Sequence, residues 1–551
     1  MERNWDDEVD VLVVGTGGAG LSAAIAAADT GATVLVAEGS SKWGGTTMRS
    51  GGGLWMPTNP VMARKGIRDS REEALRYLDE VVAERGPASS PERREAFVDA
   101  VPDVVANLER HGVKFAVATE YPDYYPERPG GKIGRSIECE PFDAKKLGEW
   151  LKKSRMDDGG MPLPLKTDDV WLLARAWSSR DGFVRGAQFV FRTLGMFLTG
   201  KKPVGIGASL QCNLMHVVRQ QGTPVLLDAP LTELVVEDGA VVGAVLGGAT
   251  GGRRVRTRGG VVVATGGFAH RTEWREKHHG VPGWSAAIDN DLGTGIEAGS
   301  AAGGALALMD DAWWGAGVDT HGHGMHGFVL SERSMPYSIV VDSSGQRYVN
   351  ESTSYIDFGH AMLERDKTVP AIPSWLVMDA RARKKYLFSV MGVKKLRANG
   401  QYVTADTLDD LARLLHMDPA TLRATVQRFN GFCQTGVDED FQRGGTAYDR
   451  YYSDPGVKPN PNLGPIERGP FHALQIVPGD LGTKGGLLTD ENGAVVTEDL
   501  TPIPGLYAAG NAAASVMGRT YPGPGSTIGP AVVFGYLGAR HAAARAKATV
   551  G

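Results

Sequence analysis

The stretch that decides the fold is Val13-Val14-Gly15-Thr16-Gly17-Gly18-Ala19-Gly20, close to the start of the chain. The apolar run Val9–Val14 predicts a buried strand that enters this stretch, and the Ala-rich run Leu21–Thr30 predicts the helix that leaves it. A second predicted strand, Thr33–Ala37, ends at Glu38. Strand, glycine-rich turn, helix and a following acid at this spacing are typical of a dinucleotide-binding βαβ unit.

This pattern predicts which residues hold the nucleotide. The turn would bring its backbone N–H groups to the pyrophosphate, and the acid would hold a ribose hydroxyl. The turn residues are Gly15, Gly17, Gly18, Ala19 and Gly20, and the acid is Glu38. A later segment rich in glycine and hydroxyl groups suits close contact with a planar flavin; its candidate residues are Gly44, Gly45, Thr46, Thr47, Ser50, Gly51 and Gly52.

Further cofactor contacts are expected far along the chain. Gly266 follows the predicted strand Val261–Ala264, and Gly510-Asn511 follows a short buried strand near the C-terminus. The nucleotide-binding domain is therefore expected to be split. We predict an α/β protein in which a split Rossmann-like FAD-binding domain, 1–309 and 477–551, carries an inserted α+β catalytic domain, 310–476.

Composition excludes several classes of protein. The chain has 551 residues, a net charge of −5 and no long basic run, which argues against nucleic acid as a partner. Its three cysteines, Cys139, Cys212 and Cys433, stand apart, which excludes a disulfide framework and a four-cysteine metal site and suits a reducing cytoplasm. No secretion signal or membrane-spanning apolar run is read, so a cytoplasmic location is expected.

The segment 170–202 has an unusual composition. Trp171, Trp177 and four phenylalanines alternate with arginines and lysines, and Asp181 is its only acid from Val170 onward. Such a helix is typical of a membrane interface, which would place the protein peripherally on the inner face of the cell membrane. The alternative is a basic helix whose aromatics pack on the protein's own core or on another subunit.

Several motifs together resemble the FAD-dependent 3-ketosteroid Δ1-dehydrogenases, within the wider fumarate-reductase-like flavoproteins. They are the nucleotide fingerprint, Tyr124-Tyr125, Asn350–Tyr355, Leu481–Gly486 and Gly518–Gly525, and they span nearly the whole chain. The resemblance implies removal of hydrogen from C1 and C2 of a 3-keto-4-ene steroid. Tyr521 and the backbone N–H of Gly525 would bind the C3 oxygen, where enolate charge develops. Tyr355 would take the C2 proton with help from Tyr124 or Tyr125.

The resemblance also implies FAD as the hydride acceptor. Ser526 and Ile528 would bring the start of a last helix, with Pro530 in its first turn, to the flavin edge. No histidine stands in 44–53, so FAD is expected to be non-covalent. An external acceptor, a quinone or a carrier protein, would reoxidise it. If 170–202 docks on a membrane, a long-chain substrate such as cholest-4-en-3-one is expected.

Three alternatives remain open at the level of sequence. The first is a 3-ketosteroid Δ4(5α)-dehydrogenase, although such enzymes are expected to lack Tyr521-Pro-Gly-Pro-Gly525. The second is a fumarate-reductase-like dicarboxylate oxidoreductase, disfavoured because no histidine precedes Thr483-Lys-Gly-Gly486. The third is a non-catalytic flavoprotein that docks on membranes.

Two features depart from a simple reading. His321, His323 and His326 have a metal-like spacing, but no acid lies at helical spacing to them, so no metal is expected. Relatives usually carry Asn-Thr-Gly-Asp where this chain has Asp291-Leu-Gly293-Thr294, which puts one polar cofactor contact in doubt.

Overall fold

The computed structural model describes residues 5–82, 86–173, 176–177, 179–248, 252–320, 327–387 and 393–550. Its architecture is α/β, built around two large sheets, and the predicted fold class is confirmed. The main helices are Gly18–Ala28, Pro60–Arg64, Arg71–Val81, Pro91–Arg110, Thr167–Leu173, Arg180–Leu198, Ile206–Gln220, Thr272–His279, Thr294–Ala301, Ser331–Ser334, Tyr355–Asp366, Ala380–Lys385, Val393–Ala398, Leu408–Leu414, Pro419–Thr435, Ala447–Tyr451 and Ile528–Val550.

The first sheet draws its strands from both ends of the chain. Its order is Ala494–Val496, Pro502–Ala508, Arg253–Val263, Asp7–Val14, Val34–Ala37 and Val225–Leu226, with Ala240–Leu246 and Leu231–Glu237 attached beside Arg253–Val263. The central strands run parallel, with Val11 opposite Val34 and Val14 opposite Ala37. Both faces are covered, so these strands are continuous apolar runs and their inner residues are fully buried.

The second sheet is organised around one long strand, Phe471–Thr483. Its order is Gly327–Phe328, Ala312–Val318, Phe471–Thr483, Ser374–Met378 and Ser338–Val341, and Trp284–Ser285 and Tyr402–Ala405 also pair with the long strand. That strand is continuous across 476/477, and residues 284–285 belong to the same sheet. The sheet therefore extends beyond the predicted segment 310–476, whose bounds stay a prediction.

The C-terminal helix Ile528–Val550 joins the two ends of the chain. It packs along Gly18–Ala28, and a Cβ at Gly535 would lie 2.4 Å from the carbonyl oxygen of Ala19. Ser22 Oγ also donates to the carbonyl of Val532 at 2.8 Å. This packing brings the start of the last helix to the glycine-rich turn, beside Gly18.

Candidate active site

The glycine-rich turn has the shape that a pyrophosphate requires. Gly15 has φ +111°, and a Cβ there would lie 2.2 Å from the carbonyl oxygen of Ala264. A Cβ on Gly20 would lie 2.0 Å from the carbonyl oxygen of Gly15, so the helix packs tightly on the strand. Beside Gly17, in contrast, the nearest atom to such a Cβ is Thr47 Oγ1 at 3.9 Å. The turn is closed on the protein side and has room on the other side for a phosphate.

Glu38 lies at the end of the second strand, where the fingerprint predicts it. Its carboxylate accepts hydrogen bonds from Thr16 N at 3.1 Å and from Ser40 N at 3.1 Å, and the side chain is buried. These bonds fix the carboxylate at the carboxyl edge of the parallel strands. That is the position from which an acid holds a ribose hydroxyl in a dinucleotide fold.

The second glycine-rich segment wraps against the first. Thr47 Oγ1 accepts from Gly18 N at 3.1 Å, and Thr16 Oγ1 accepts from Gly44 N at 3.1 Å. The other predicted residues of this segment lie close by. Thr46 accepts a hydrogen bond from Ile288 N, and Ser50 accepts one from Gly52 N. A Cβ on Gly45 would lie 3.1 Å from Gly17 Cα, whereas a Cβ on Gly51 would meet no atom within 4 Å.

The remaining predicted cofactor residues come from the far end of the chain. Gly510, Asn511 and Ser526 line one cavity, together with Lys484 and Trp313. The Ser526 hydroxyl accepts from Gly523 N at 3.0 Å and donates to Gly523 O at 2.7 Å. Ile528 lies beside Gly18, and the Cβ of Ala19 lies 3.3 Å from a Cβ built on Gly510. The starts of the helices Gly18–Ala28 and Ile528–Val550 thus lie side by side, with Gly510 next to Ala19 and Gly45 next to Gly17. This grouping of helix starts and glycines fits FAD.

Asp291 lies next to Gly266, one of the predicted cofactor residues. In the sequence it is notable only because the stretch that it begins differs from the Asn-Thr-Gly-Asp of relatives. Its Oδ1 is buried without a hydrogen-bond partner among the described residues, 2.4 Å from where a Cβ of Gly266 would stand. Burial raises the pKa of this carboxyl to about 7, and the negative charge of Asp480 adds to the shift. Gly266 itself has φ +83°, so no larger residue would fit there.

Three tyrosines from distant parts of the chain meet in the core. Tyr124 follows a loop, Tyr355 is the first residue of a helix capped by Ser354, and Tyr521 precedes the last helix. Their ring centroids lie 5.3 Å apart for Tyr124 and Tyr355, 5.1 Å for Tyr124 and Tyr521, and 4.8 Å for Tyr355 and Tyr521. All three are buried.

The structure separates Tyr124 from its neighbour. The hydroxyl of Tyr125 donates to Asp357 Oδ1 at 3.0 Å and lies 3.4 Å from Ser354 Oγ. Tyr124 instead packs on Tyr355, and a hydrogen bond from it lowers the pKa of Tyr355 against the larger effect of burial, which raises that pKa well above the usual value of a phenol. Of the two adjacent tyrosines, Tyr124 is therefore the one that contacts Tyr355.

Tyr521 and Gly525 belong to one tightly held loop. Tyr77 Oη and Tyr124 N both donate to the carbonyl of Pro522, at 2.6 Å and 2.9 Å. Gly525 has φ +94°, and a Cβ there would lie 2.3 Å from the carbonyl oxygen of Gly53. Burial raises the pKa of Tyr521, while hydrogen bonds from Thr527, Tyr355 and the Gly525 N–H oppose the rise. The two predicted oxyanion donors thus lie side by side.

A buried lysine supports this loop. Lys484 Nζ donates to the carbonyls of Gly518 at 2.7 Å and Thr520 at 2.5 Å, and it lies 4.1 Å from the ring centroid of Trp313. Burial lowers the pKa of Lys484 to about 7. Trp313 in turn packs edge to face on Tyr521, with centroids 4.9 Å apart. The predicted motif 481–486 therefore contacts the loop that carries Tyr521.

Other predicted features are structural or undescribed. Two adjacent acids, Asp310 and Asp311, make structural contacts: Asp311 accepts hydrogen bonds from Trp314 at 2.9 Å and His360 at 2.8 Å, and Asp310 pairs with Arg519. Among the described residues no group of three or more histidine, cysteine or acidic side chains is placed to hold a metal ion. His321, His323 and His326 lie outside those residues.

Comparison with known proteins shows the family to which this chain belongs. The FAD binding domain family matches residues 10–528. A 3-oxosteroid 1-dehydrogenase from Mycolicibacterium smegmatis is 42% identical over 98% of each chain. The crystal structure of 3-ketosteroid Δ1-dehydrogenase from Sterolibacterium denitrificans in complex with 1,4-androstadiene-3,17-dione has a TM-score of 0.91 at 35% identity, covering 98% of this chain and 100% of that one.

A more distant structure shares the fold. The 3-ketosteroid Δ4-(5α)-dehydrogenase from Rhodococcus jostii RHA1 has a TM-score of 0.69 at 24% identity and covers 98% of each chain. The enzyme is an oxidoreductase that uses FAD, as predicted. This chain belongs to the 3-ketosteroid Δ1-dehydrogenase family of FAD-binding flavoproteins.

Proposed function

We propose that the enzyme desaturates 3-keto-4-ene steroids between C1 and C2 and so forms 1,4-dien-3-ones. The observation that carries this proposal is the meeting of Tyr124, Tyr355, Tyr521 and Gly525 in one buried place. FAD, when bound, accepts the hydride that leaves C1. Among the alternatives, the Δ4(5α)-dehydrogenase shares only the fold at 24% identity, and the dicarboxylate reaction would need cations where this site has phenols.

Tyr521 and Gly525 would acidify C2. Their O–H and N–H groups would bond the C3 oxygen, and both are fixed before substrate arrives because Tyr77, Tyr124 and Ser526 pin their loop. Preorganised donors of this kind stabilise an enolate without reorganisation at the moment of reaction. Tyr355 would take the proton from C2, and the hydrogen bond from Tyr124 would favour its phenolate.

The FAD site would be formed by the predicted residues. Gly15, Gly17, Gly18, Ala19 and Gly20 would hold the pyrophosphate and Glu38 the ribose, while 44–52, Gly266, Gly510, Asn511, Ser526 and Ile528 would surround the rest. The segment 44–53 has no histidine to form a flavin link, which supports non-covalent binding. A quinone or a carrier protein would receive the electrons.

The helix Arg180–Leu198 would bind the inner face of a membrane. No helix of the described residues is long and apolar enough to cross a bilayer. Apolar side chains nevertheless cover this helix, with Phe183 62% exposed, Phe191 74% and Leu198 86%. Only Gly182 is buried in it. Arginines 185 and 192 point to the buried Asp169 on the inner side, so the apolar residues are left for an outside partner.

Basic residues flank this surface. Lys201 and Lys202 follow the helix, and the carbonyl of Lys202 accepts from Ala144 N at 2.9 Å. That bond places the exposed Lys145 and Lys146 at the same end. Apolar side chains between exposed lysines suit a bilayer with anionic lipids. A membrane source would also suit a poorly soluble, long-chain substrate such as cholest-4-en-3-one.

Activity is tested by anaerobic mixing of the FAD-loaded protein with cholest-4-en-3-one and with androst-4-ene-3,17-dione. We expect the flavin absorbance to bleach and a 1,4-dien-3-one to form. A 5α-reduced 3-ketosteroid serves as the discriminating substrate, because a Δ4(5α)-dehydrogenase would place the new double bond at C4. Formation of a 4-ene without any 1-ene would contradict the proposal.

Membrane binding is tested by sedimentation with vesicles of phosphatidylcholine alone or with phosphatidylserine. The variant combines Phe183→Ser, Phe191→Ser and Leu198→Ser. The control combines Leu387→Ser, Leu414→Ser and Val437→Ser, which are comparably exposed but lie elsewhere. We expect only the first variant to lose vesicle binding while keeping activity on dispersed substrate. Equal sedimentation of the two variants with vesicles would contradict membrane binding. A wild-type protein that is dimeric in solution and becomes monomeric in the first variant would also contradict it.

A further inference from the structure

A second group of tyrosines lies behind the three that meet at the proposed site. We call Tyr121, Tyr448, Tyr451 and Tyr452 the outer tyrosines. Tyr448 packs on Tyr124 with ring centroids 4.5 Å apart, and Tyr121 lies 6.3 Å from Tyr124. Residues 448, 451 and 452 come from one short stretch, so a single helical turn delivers three phenols.

The outer tyrosines are connected by their hydroxyls and rings. The hydroxyls of Tyr121 and Tyr452 lie 2.6 Å apart, a hydrogen bond between two buried phenols. Tyr451 stacks on Tyr121 with centroids 4.3 Å apart and meets Tyr452 edge to face at 4.9 Å. The side chain of Tyr451 also lines an open surface cleft with Glu120, Glu127 and Arg450, although its hydroxyl oxygen is itself buried. The series of phenols therefore runs from Tyr355 to the surface.

The proposed reaction requires a route by which Tyr355 can lose a proton. Tyr355 is 4% exposed, and burial raises its pKa well above the usual value of a phenol. It holds its own proton at rest, and this proton must leave before the phenol can accept another from C2. Tyr521, on one side, is committed to the C3 oxygen. Tyr124, on the other side, is the neighbour that leads outward.

We propose that Tyr124, Tyr121, Tyr452 and Tyr451 form a proton path from Tyr355 to the surface cleft. The inference rests on the proposed desaturation. Each hydroxyl accepts a proton on its inner side and gives up the proton that it held on its outer side. When the C2–H bond breaks, its proton forms the O–H bond of Tyr355, and one proton per turnover reaches solvent. The path requires a water molecule to bridge any two of these hydroxyls that are not in direct contact.

A buried cation stabilises the middle of this path. Arg333 is fully buried, and its Nε and Nη2 have no hydrogen-bond partner among the described residues. Its charge lowers the pKa of Tyr452, as does the hydrogen bond from Tyr121, so burial raises that pKa only to about 12. The pKa values of Tyr121 and Tyr124 lie well above the usual phenol value, raised mainly by burial. Tyr452 is thus the phenol on which a transient negative charge is best tolerated.

Carboxylates stand at the outer end. Asp168, Glu138 and Glu120 all act on the pKa of Tyr451, which burial raises. Burial also raises the pKa of Asp168 to about 6 and that of Glu138 to about 8. Glu138 is buried and already accepts from Thr167, whereas Asp168 is only partly buried, so Asp168 is the suitable terminal acceptor.

The experiment follows proton release directly. FAD-loaded protein and a 3-keto-4-ene steroid are mixed anaerobically in a stopped-flow instrument, with a pH indicator for the proton and flavin absorbance for the chemistry. The variants Tyr452→Phe and Tyr121→Phe keep the rings and remove only the bonded hydroxyls. Tyr348→Phe is the matched control, because it removes a phenol hydroxyl that bonds Ser374 Oγ at 2.9 Å in another part of the protein.

We expect each path variant to slow proton release and bleaching by roughly 10- to 100-fold at saturating steroid, within the range of acid–base effects. The steroid concentration that gives half of the maximal rate should stay unchanged. The solvent deuterium isotope effect on bleaching should rise. The double variant should be no slower than the slower single variant, since both hydroxyls serve one bond. Tyr348→Phe should behave as wild type.

Three results would overturn the path. The first is wild-type proton release in both variants. The second is a change in steroid affinity alone, which would make these tyrosines only a pocket wall. The third is additive slowing in the double variant. If Tyr452→Phe does not fold, Tyr121→Phe decides. Failure of the wild-type protein to bleach with any steroid would instead refute the proposed desaturation, so the two failures are distinguishable.

Discussion

Tyr355 and Tyr521 meet edge to face with ring centroids 4.8 Å apart, and their hydroxyls share a hydrogen bond that shifts both pKa values. The bond lowers the pKa of Tyr521 and raises that of Tyr355. The hydroxyl of the proposed base, Tyr355, therefore donates to the hydroxyl of the proposed oxyanion donor, Tyr521. Tyr521 is the acceptor in this bond, and it also accepts from Thr527, so its own O–H remains available to donate to a C3 oxygen.

Replacing Tyr521 by phenylalanine should reduce turnover strongly. The ring would still pack against Trp313 and Tyr355, but one of two donors to the C3 oxygen would be gone. Loss of one such donor costs about 10²–10³ in turnover. Single-turnover flavin bleaching measures the effect, and the control is unchanged FAD content. A rate equal to wild type would show that Tyr521 does not touch the C3 oxygen.

The two adjacent tyrosines should differ sharply. Tyr124→Phe removes the hydrogen bond to the proposed base and should slow bleaching by roughly 10²-fold or more. Tyr125→Phe removes a bond to Asp357 and should cost about 1 kcal/mol of stability with turnover nearly unchanged. Stopped-flow rates and thermal unfolding together decide. A slower Tyr125→Phe with a normal Tyr124→Phe would reverse the assignment.

Loss of the base itself should abolish the chemistry. Tyr355→Phe should bind FAD and steroid almost normally, because the ring contacts remain, yet produce no dienone. Steroid binding is measured by the perturbation of the flavin spectrum and product by chromatography. Substantial activity in this variant would remove Tyr355 from its proposed role.

Lys484 should act through the loop that carries Tyr521. Lys484→Met keeps the stem and removes the donors to the carbonyls of Gly518 and Thr520. Turnover should fall about tenfold, the equivalent of ~1.4 kcal/mol in the barrier, while steroid affinity changes little. Lys132→Met, which breaks a surface pair with Glu73 at 2.9 Å, is the control. Equal turnover in both variants would contradict a positioning role.

Asp291 should make stability depend on pH. Its pKa is raised from 3.8 to about 7 in the folded protein, so the folded state binds the proton more tightly than the unfolded chain. Stability should therefore fall as pH rises from about 4 to about 7, by up to about 4 kcal/mol. Asp291→Asn should unfold at a higher temperature than wild type at pH 8 and similarly near pH 4. An equal difference in unfolding temperature between variant and wild type at both pH values would contradict a raised pKa of Asp291.

Local patterns predicted the elements of the fold well. The observed strand Asp7–Val14 begins two residues before the predicted one, and the observed strand Val34–Ala37 begins one residue after the predicted start at Thr33. The observed helix Gly18–Ala28 begins three residues before the predicted start at Leu21 and ends two residues before Thr30. Periodicity and glycine placement act locally, so they are readable in one chain.

The site was predictable only in part. The fingerprint glycines and Glu38 follow from spacing, whereas the tyrosine roles came from the resemblance and stay predictions. Lys484, Asp291 and the outer tyrosines were missed as functional candidates, since their burial and partners arise from segments hundreds of residues apart. The stretch Tyr448-Asp-Arg-Tyr451-Tyr452 was a usable signal, because three of the 15 tyrosines stand within five residues.

The first sheet places Pro502–Ala508 beside Arg253–Val263, and the helix Ile528–Val550 covers Gly18–Ala28. During synthesis the glycine-rich turn therefore leaves the ribosome long before the elements that complete its surroundings. The edge of the strand Arg253–Val263 that pairs with Pro502–Ala508 is made about 240 residues before that partner. The surroundings of the glycine-rich turn are complete only when synthesis has reached the last helix, so we expect FAD to bind after translation rather than during it.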